Sequence, residues 1–137
     1  TGGAPAGTEF WLDGGHNAGA GEVVAAAMAD LEDRVARPLF LVAGMLATKD
    51  PVGFFAPFAG LARKVFTVPI ASSDAGWSPD DLARAARAAG LSAEPVASIA
   101  EAISRLAAEG AATPRVLICG SLYLAGEVLA DNAQAPV

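Results

Sequence analysis

The chain has 137 residues, of which 9 are basic and 15 acidic, giving a formal charge of −6 and a pI near 4.6. That balance excludes binding to nucleic acid through its phosphates, because no basic patch can be assembled from so few cations. The hydrophobic fraction is 53% and the mean hydropathy +0.42, yet the longest apolar stretches, such as Leu39 to Ala47, fall well short of the roughly 20 residues a membrane span needs.

A chain of this size can bury about two-thirds of its unfolded surface and fold without staples. The single Cys119 can form no internal disulfide and fits a reducing cytoplasm, as does the lack of a basic region followed by an apolar one at the start. The first residue is Thr1, and Thr1 to Gly7 is rich in Gly, Pro and Ala. Residues 1–8 therefore read as a linker remnant, 9–130 as one domain, and 131–137 as a flexible tail.

Glu9 to Asp13 is a short apolar run stopped by Gly14 and Gly15, the pattern of a buried strand and a tight turn, with Trp11 expected in the core. A helix is expected from about Asn17 to Val35, capped by Asn17, with Val23, Val24, Ala27, Met28 and Leu31 on its inner face. Leu39 to Ala43 reads as a strand apolar on both faces, as in the middle of a parallel sheet. Thr48, Lys49, Asp50 and Pro51 lead into a short helix presenting Phe54, Phe55, Phe58 and Leu61.

Val65 to Val68 is the third expected strand, and Ser78-Pro79-Asp80-Asp81 starts a helix that runs to Gly90. A weaker strand at Ala93 to Val96 precedes a capping box at Ser98 and Glu101. Val116 to Cys119 is the fifth strand, and Gly120-Ser121 opens a last helix to about Leu129. This alternation predicts an α/β, Rossmann-like three-layer domain, with a mostly parallel sheet and helices on both faces.

Ligands of such sheets bind beyond the carboxyl ends of the strands. Three of those ends carry functional groups: Asp13 to Asn17, Gly44 to Asp50, and Gly120-Ser121. Each residue also has a structural alternative, with Asp13 capping a turn, His16 exposed on one, and Lys49-Asp50 a solvated loop pair. Neither lysine, Lys49 or Lys64, follows the Gly of a Gly-Lys-Ser/Thr phosphate loop, and the pair Gly19, Gly21 lacks the third glycine of a dinucleotide fingerprint. One His and one Cys make no zinc site. Ser121, His16 and Asp13 could supply a hydrolytic triad, but no Gly-x-Ser-x-Gly surrounds the serine. Cys119 reads as a small core residue.

In Leu12-Asp-Gly-Gly-His-Asn17, Gly44-Met-Leu-Ala-Thr-Lys-Asp50 and Gly120-Ser-Leu-Tyr123, from Glu9 to about Leu129, the chain resembles the C-terminal domain of the folylpolyglutamate synthase / dihydrofolate synthase family, relatives of the Mur ligases. The resemblance implies a cytoplasmic, ATP-dependent carboxylate-amine ligase that joins glutamate to dihydropteroate or a folate through an acyl phosphate. It further implies an N-terminal P-loop domain in the same polypeptide, which holds Mg and most of the ATP phosphates, so that this part alone is expected to be inactive.

Carried over by motif, Asp13 and His16 are the candidate catalytic residues. Asp13, His16 and Asn17 would bind ATP, with Asp13 on the ribose, and Lys49 and Ser121 would hold the carboxylates of glutamate. No metal ligand, nucleic acid or membrane partner is expected. Gly15, Ala18 and Thr48 depart from the common motif residues, and the segment Ala71 to Gly76 lacks an Arg that is common in the family, leaving Ser72 and Ser73 as its polar substitutes. Two alternatives remain at this point: another Mur-type ligase that adds a different amino acid, and a non-catalytic flavodoxin-like binding module.

Overall fold

The computed structural model describes residues 5–13, 17–46, 50–70 and 76–120. Five strands form a parallel sheet in the order β1-β5-β2-β3-β4: β1 Glu9–Leu12, β2 Leu39–Ala43, β3 Lys64–Thr67, β4 Ala93–Pro95 and β5 Arg115–Cys119. Between them lie α1 Ala18–Arg34, α2 Pro51–Phe55 with a 3-10 turn at Ala56–Phe58, α3 Pro79–Ala88 and α4 Ile99–Ala108. The α/β architecture is as expected, and element bounds shift by a residue or two. The last helix from Ser121 and the 131–137 tail lie outside the described residues.

Alternation along β2 and β5 divides the core in two. Leu39, Leu41, Ala43, Leu117 and Cys119 face α1, α2 and α3, whereas Phe40, Val42, Val116 and Ile118 face α4. Every residue of both strands is buried, which explains why their sequences show no polar face. Phe54, Phe55 and Phe58 cluster under the first layer, with Phe54 and Phe55 in edge contact at 5.5 Å between centroids.

Two expectations are corrected. β1 is not a buried strand: among the described residues it is the sheet edge, pairing with β5 alone, and Phe10, Trp11 and Leu12 are 37–40% exposed. Trp11 is accordingly outside the core, and its Nε1 donates to Glu9 Oε1 at 2.6 Å. The apolar run of this strand is the same on paper as that of a central one, because hydrophobicity does not encode strand order.

The buried face of α1 is also rotated from the predicted one. Gly21, Ala25 and Met28 are buried, Val24 and Leu31 pack at its margin, and Val23 is 71% exposed. The cause is Gly21, where a Cβ would overlap the carbonyl oxygen of Phe54. A small residue lets α2 approach the α1 backbone, and that contact sets which face turns inward.

The caps match the sequence. The Asn17, Ser78 and Ser98 side chains accept from the amides of Ala20, Asp81 and Glu101 at 2.9, 3.1 and 3.1 Å. Asp50 caps α2 in the same way, accepting from the Gly53 amide at 2.8 Å, while its expected partner Lys49 lies outside the described residues.

Candidate functional site

The three motif-bearing segments leave the sheet side by side. β1, β5 and β2 are adjacent, and the ladder extends one step past their ends: the Asp13 amide donates to the Ile118 carbonyl at 2.9 Å, and the Gly44 amide to the Cys119 carbonyl at 3.3 Å. Asp13, Gly44 and Gly120 therefore begin three neighbouring loops at one carboxyl rim, where an open α/β sheet binds its ligands. Asp13 is half-buried there, and Asn17 is exposed at the start of α1.

Of the predicted site residues, Asp13 and Asn17 are thus on the rim. His16, Lys49 and Ser121 lie outside the described residues, as do Ser72 and Ser73. Asn17 has a structural duty as well, since its Oδ1 caps α1 and its carbonyl accepts from Gly21 at 2.9 Å. Any contact its side chain makes to a ligand through nitrogen is as a donor.

Cys119 stands at the end of β5, fully buried, and burial foremost, then the Asp13 carboxylate, pushes its thiol well above the ordinary range. A thiol held neutral there is a packing residue, not a nucleophile. Among the described residues no group of three or more His, Cys, Asp and Glu side chains converges to hold a metal ion.

The other strongly interacting charges sit away from this rim. Glu9, the first residue of β1, accepts from Arg115 Nε at 2.6 Å and lies 3.6 Å from Arg37 Nε. Hydrogen bonds from Arg115 and then Trp11 lower its pKa. Lys64 opens β3 between Glu94 at 2.9 Å and Glu109 at 3.1 Å, and the bond to Glu94 chiefly raises its pKa while that of Glu94 falls. These clusters fasten strand beginnings and helix ends.

One feature beside Asp13 was missed by the sequence reading. A largely apolar cleft of about 410 Å³ lies between β1 and α1, lined by Trp11, Leu12, Asp13, Val24, Met28 and Leu31 among others. Its sequence signal is the run of three large apolar residues in β1, which an edge strand cannot bury on both sides.

A family model for the Mur ligase, glutamate ligase domain, matches residues 2–122. No curated protein sequence gives a significant match. Among solved structures, a bifunctional folylpolyglutamate synthase/dihydrofolate synthase from Yersinia pestis, complexed with AMPPNP and a Mn ion, superposes with a TM-score of 0.73 at 26% identity, over 90% of this chain and 28% of that one. The folylpolyglutamate synthase of Thermotoga maritima gives 0.71 at 21% identity, over 97% and 30%. The Mycobacterium tuberculosis folylpolyglutamate synthase complexed with ADP and AMPPCP gives 0.71 at 18%, over 93% and 30%. The chain thus spans under a third of each of these proteins, and the two at lower identity speak to fold alone.

Proposed function

Because this chain belongs to the Mur ligase family, through its glutamate ligase domain, we propose that it is the C-terminal, substrate-closing part of a cytoplasmic ATP-dependent ligase that adds glutamate to dihydropteroate or a folate. The observation that carries the reading is the meeting of the Asp13, Gly44 and Gly120 segments on one rim. The likeness to the Yersinia pestis enzyme supports the choice of substrate. Family membership counts against the flavodoxin-like alternative.

In the proposed reaction an acceptor carboxylate oxygen takes the γ-phosphoryl group of ATP and ADP leaves. The amino nitrogen of glutamate then attacks the acyl carbon, phosphate departs, and the nitrogen loses a proton as the amide forms. The phosphates and the Mg ion belong to a P-loop domain of the same polypeptide. Mg, when bound there, would neutralise phosphate charge.

This chain supplies the other half. The half-buried Asp13 carboxylate accepts hydrogen bonds from the ribose hydroxyls, and His16 and Asn17 complete the nucleotide contact at the start of α1, where a helix N-terminus favours phosphate. Lys49 and Ser121, following β2 and β5 in sequence, hold the glutamate carboxylates with an ammonium and a hydroxyl.

Steady-state titrations of ATP and glutamate on the enzyme carrying this chain with its P-loop domain test these roles. Lys49→Ala and Ser121→Ala raise the glutamate KM by about 10- to 100-fold, the worth of a hydrogen bond to a charged group, before they affect ATP. A raised ATP KM with unchanged glutamate KM reverses the assignment.

A further inference from the structure

The polypeptide is clamped ahead of its first strand. Pro5 to Thr8 form a turn in which the Thr8 amide and hydroxyl both donate to the Pro5 carbonyl, at 3.2 and 2.5 Å. Arg37, just past the end of α1, reaches across to it. Its Nη1 donates to the Gly7 carbonyl at 2.8 Å and to the Thr113 carbonyl at 3.4 Å, while its Nε lies 3.6 Å from Glu9. Its own amide donates to Glu32 Oε1 at 2.7 Å, which holds the arginine to α1. Thr113 is the one residue other than glycine, among the described ones, with a left-handed backbone, at a φ of +46°, and its Cγ2 would stand 3.1 Å from a Cβ placed on Gly7.

The sheet does not need this clamp. β1 and β5 are already joined by their ladder and by the Glu9–Arg115 ion pair, and the ladder starts after the turn, where the Glu9 amide donates to the Pro114 carbonyl at 2.9 Å. A β-branched residue in the left-handed region is strained, and such strain persists only where the surroundings hold it. Thr113 is held by its packing on Gly7 and by the guanidinium the two residues share. Those contacts fix the course of the chain before β1, not the strand itself.

That course has leverage on the rim. Asp13 lies four residues beyond Glu9, roughly 13 Å along the strand, so a tilt of about 5° at Gly7 moves it by about 1 Å. A misplacement of about 1 Å costs up to about 100-fold in rate. We propose that Arg37 and Thr113 are positioning residues: through Gly7 they fix the direction in which the preceding polypeptide enters the sheet, and so the place of the Asp13 rim against the domain that brings the ATP phosphates. The role rests on the reading that a P-loop domain precedes this chain in one polypeptide.

The test is a double-mutant cycle, in the enzyme that carries this chain with its P-loop domain, between R37A and a flexible Gly-Ser-Gly-Ser insertion before Pro5, which removes the fixed direction by another route. Each change alone lowers kcat by about 10- to 100-fold. The two together lower it no further than the larger alone, within about twofold. T113G, which relieves the strain, lowers kcat in the same direction and takes the place of R37A in the cycle if that variant does not fold. Spin labels on Ser104→Cys, exposed on α4, and on the P-loop domain give a distance distribution that broadens alike in R37A and in the insertion variant. Losses that multiply, as those of an arginine that only fastens the fold would, or a distance distribution unchanged by R37A, overturn the inference. An enzyme that ligates an amino acid other than glutamate overturns the glutamate reading, and the same cycle run with that amino acid decides Arg37. Where no ligation is seen, the distance distribution decides it.

Discussion

Gly120 and Gly44 meet backbone to backbone at the rim: a Cβ on Gly120 would stand 2.6 Å from the Gly44 carbonyl oxygen and 2.9 Å from Met45 Cγ. Gly120 also has a φ of +102°, which side chains other than glycine's rarely adopt. The residue that joins β5 to the Ser121 segment is therefore fixed by both backbone conformation and lack of space.

Gly120→Ala should lower stability by about 1–3 kcal/mol, the usual cost of forcing a side chain into such a conformation. Urea unfolding of the chain checks this. A midpoint equal to that of the unchanged protein would mean that the two loops separate without cost.

The pair Glu9–Arg115 should matter more than its edge position suggests. The Arg115 side chain is 3% exposed, so Glu9→Ala leaves a buried guanidinium that, among the described residues, keeps only the Val35 carbonyl at 3.2 Å and Glu32 at 3.9 Å. The expected loss is about 1.5–3 kcal/mol, as for a hydrogen bond to a charged group. It falls short of the ~3–5 kcal/mol of a fully orphaned buried charge, because those two contacts survive. Denaturant titration of the variant measures it.

The same carboxylate predicts a pH dependence. The folded pKa values of Glu9 and Glu94 are both lowered, by Arg115 and Lys64 first of all. Their contribution is fully present above the unfolded value of about 4.3 and is lost as pH falls through the lower folded values. Lys64 has the opposite sign: its raised pKa stabilises below the unfolded value of about 10.4, and the gain is lost as pH climbs through the folded value. Cys119 brings the alkaline loss in earlier, because its buried thiol stays protonated in the fold while that of the unfolded chain ionises above about 8.5. Stability should be level from about 4.3 to about 8.5 and fall on either side, and Glu9→Gln should flatten the acid limb.

Cys119 should resist thiol reagents in the folded protein. It is buried within β5, and its raised pKa keeps the thiolate scarce at neutral pH. Labelling with iodoacetamide should follow global unfolding, rising with denaturant along the same curve as the loss of helix. Rapid labelling without denaturant would show that the β5 end opens by itself.

How far the sequence could be read depends on where each signal is stored. The helix starts at Asn17, Ser78 and Ser98 are local, because a cap needs only its own first turn, and all three were readable. The buried strands β2 and β5 were readable because both of their faces are apolar. The edge position of β1 and the rotated face of α1 were not, since one depends on strand order and the other on the approach of Phe54 to Gly21. At the rim, the placing of Asp13, Gly44 and Gly120 at the carboxyl ends of their strands was readable, while His16, Lys49 and Ser121 lie outside the described residues. The hydrogen bond from the Trp77 amide to the Met45 carbonyl joins residues far apart in sequence and has no local pattern.

The most direct test of the proposed activity is the product itself. The enzyme carrying this chain with its P-loop domain is incubated with ATP, Mg and dihydropteroate or a folate, and offered a panel of amino acids including glutamate, with the products weighed by mass spectrometry. The account predicts a glutamyl amide of the pterin substrate, formed with one ADP per bond. An amide formed with a different amino acid and none with glutamate, or ADP release without any amide, would contradict it.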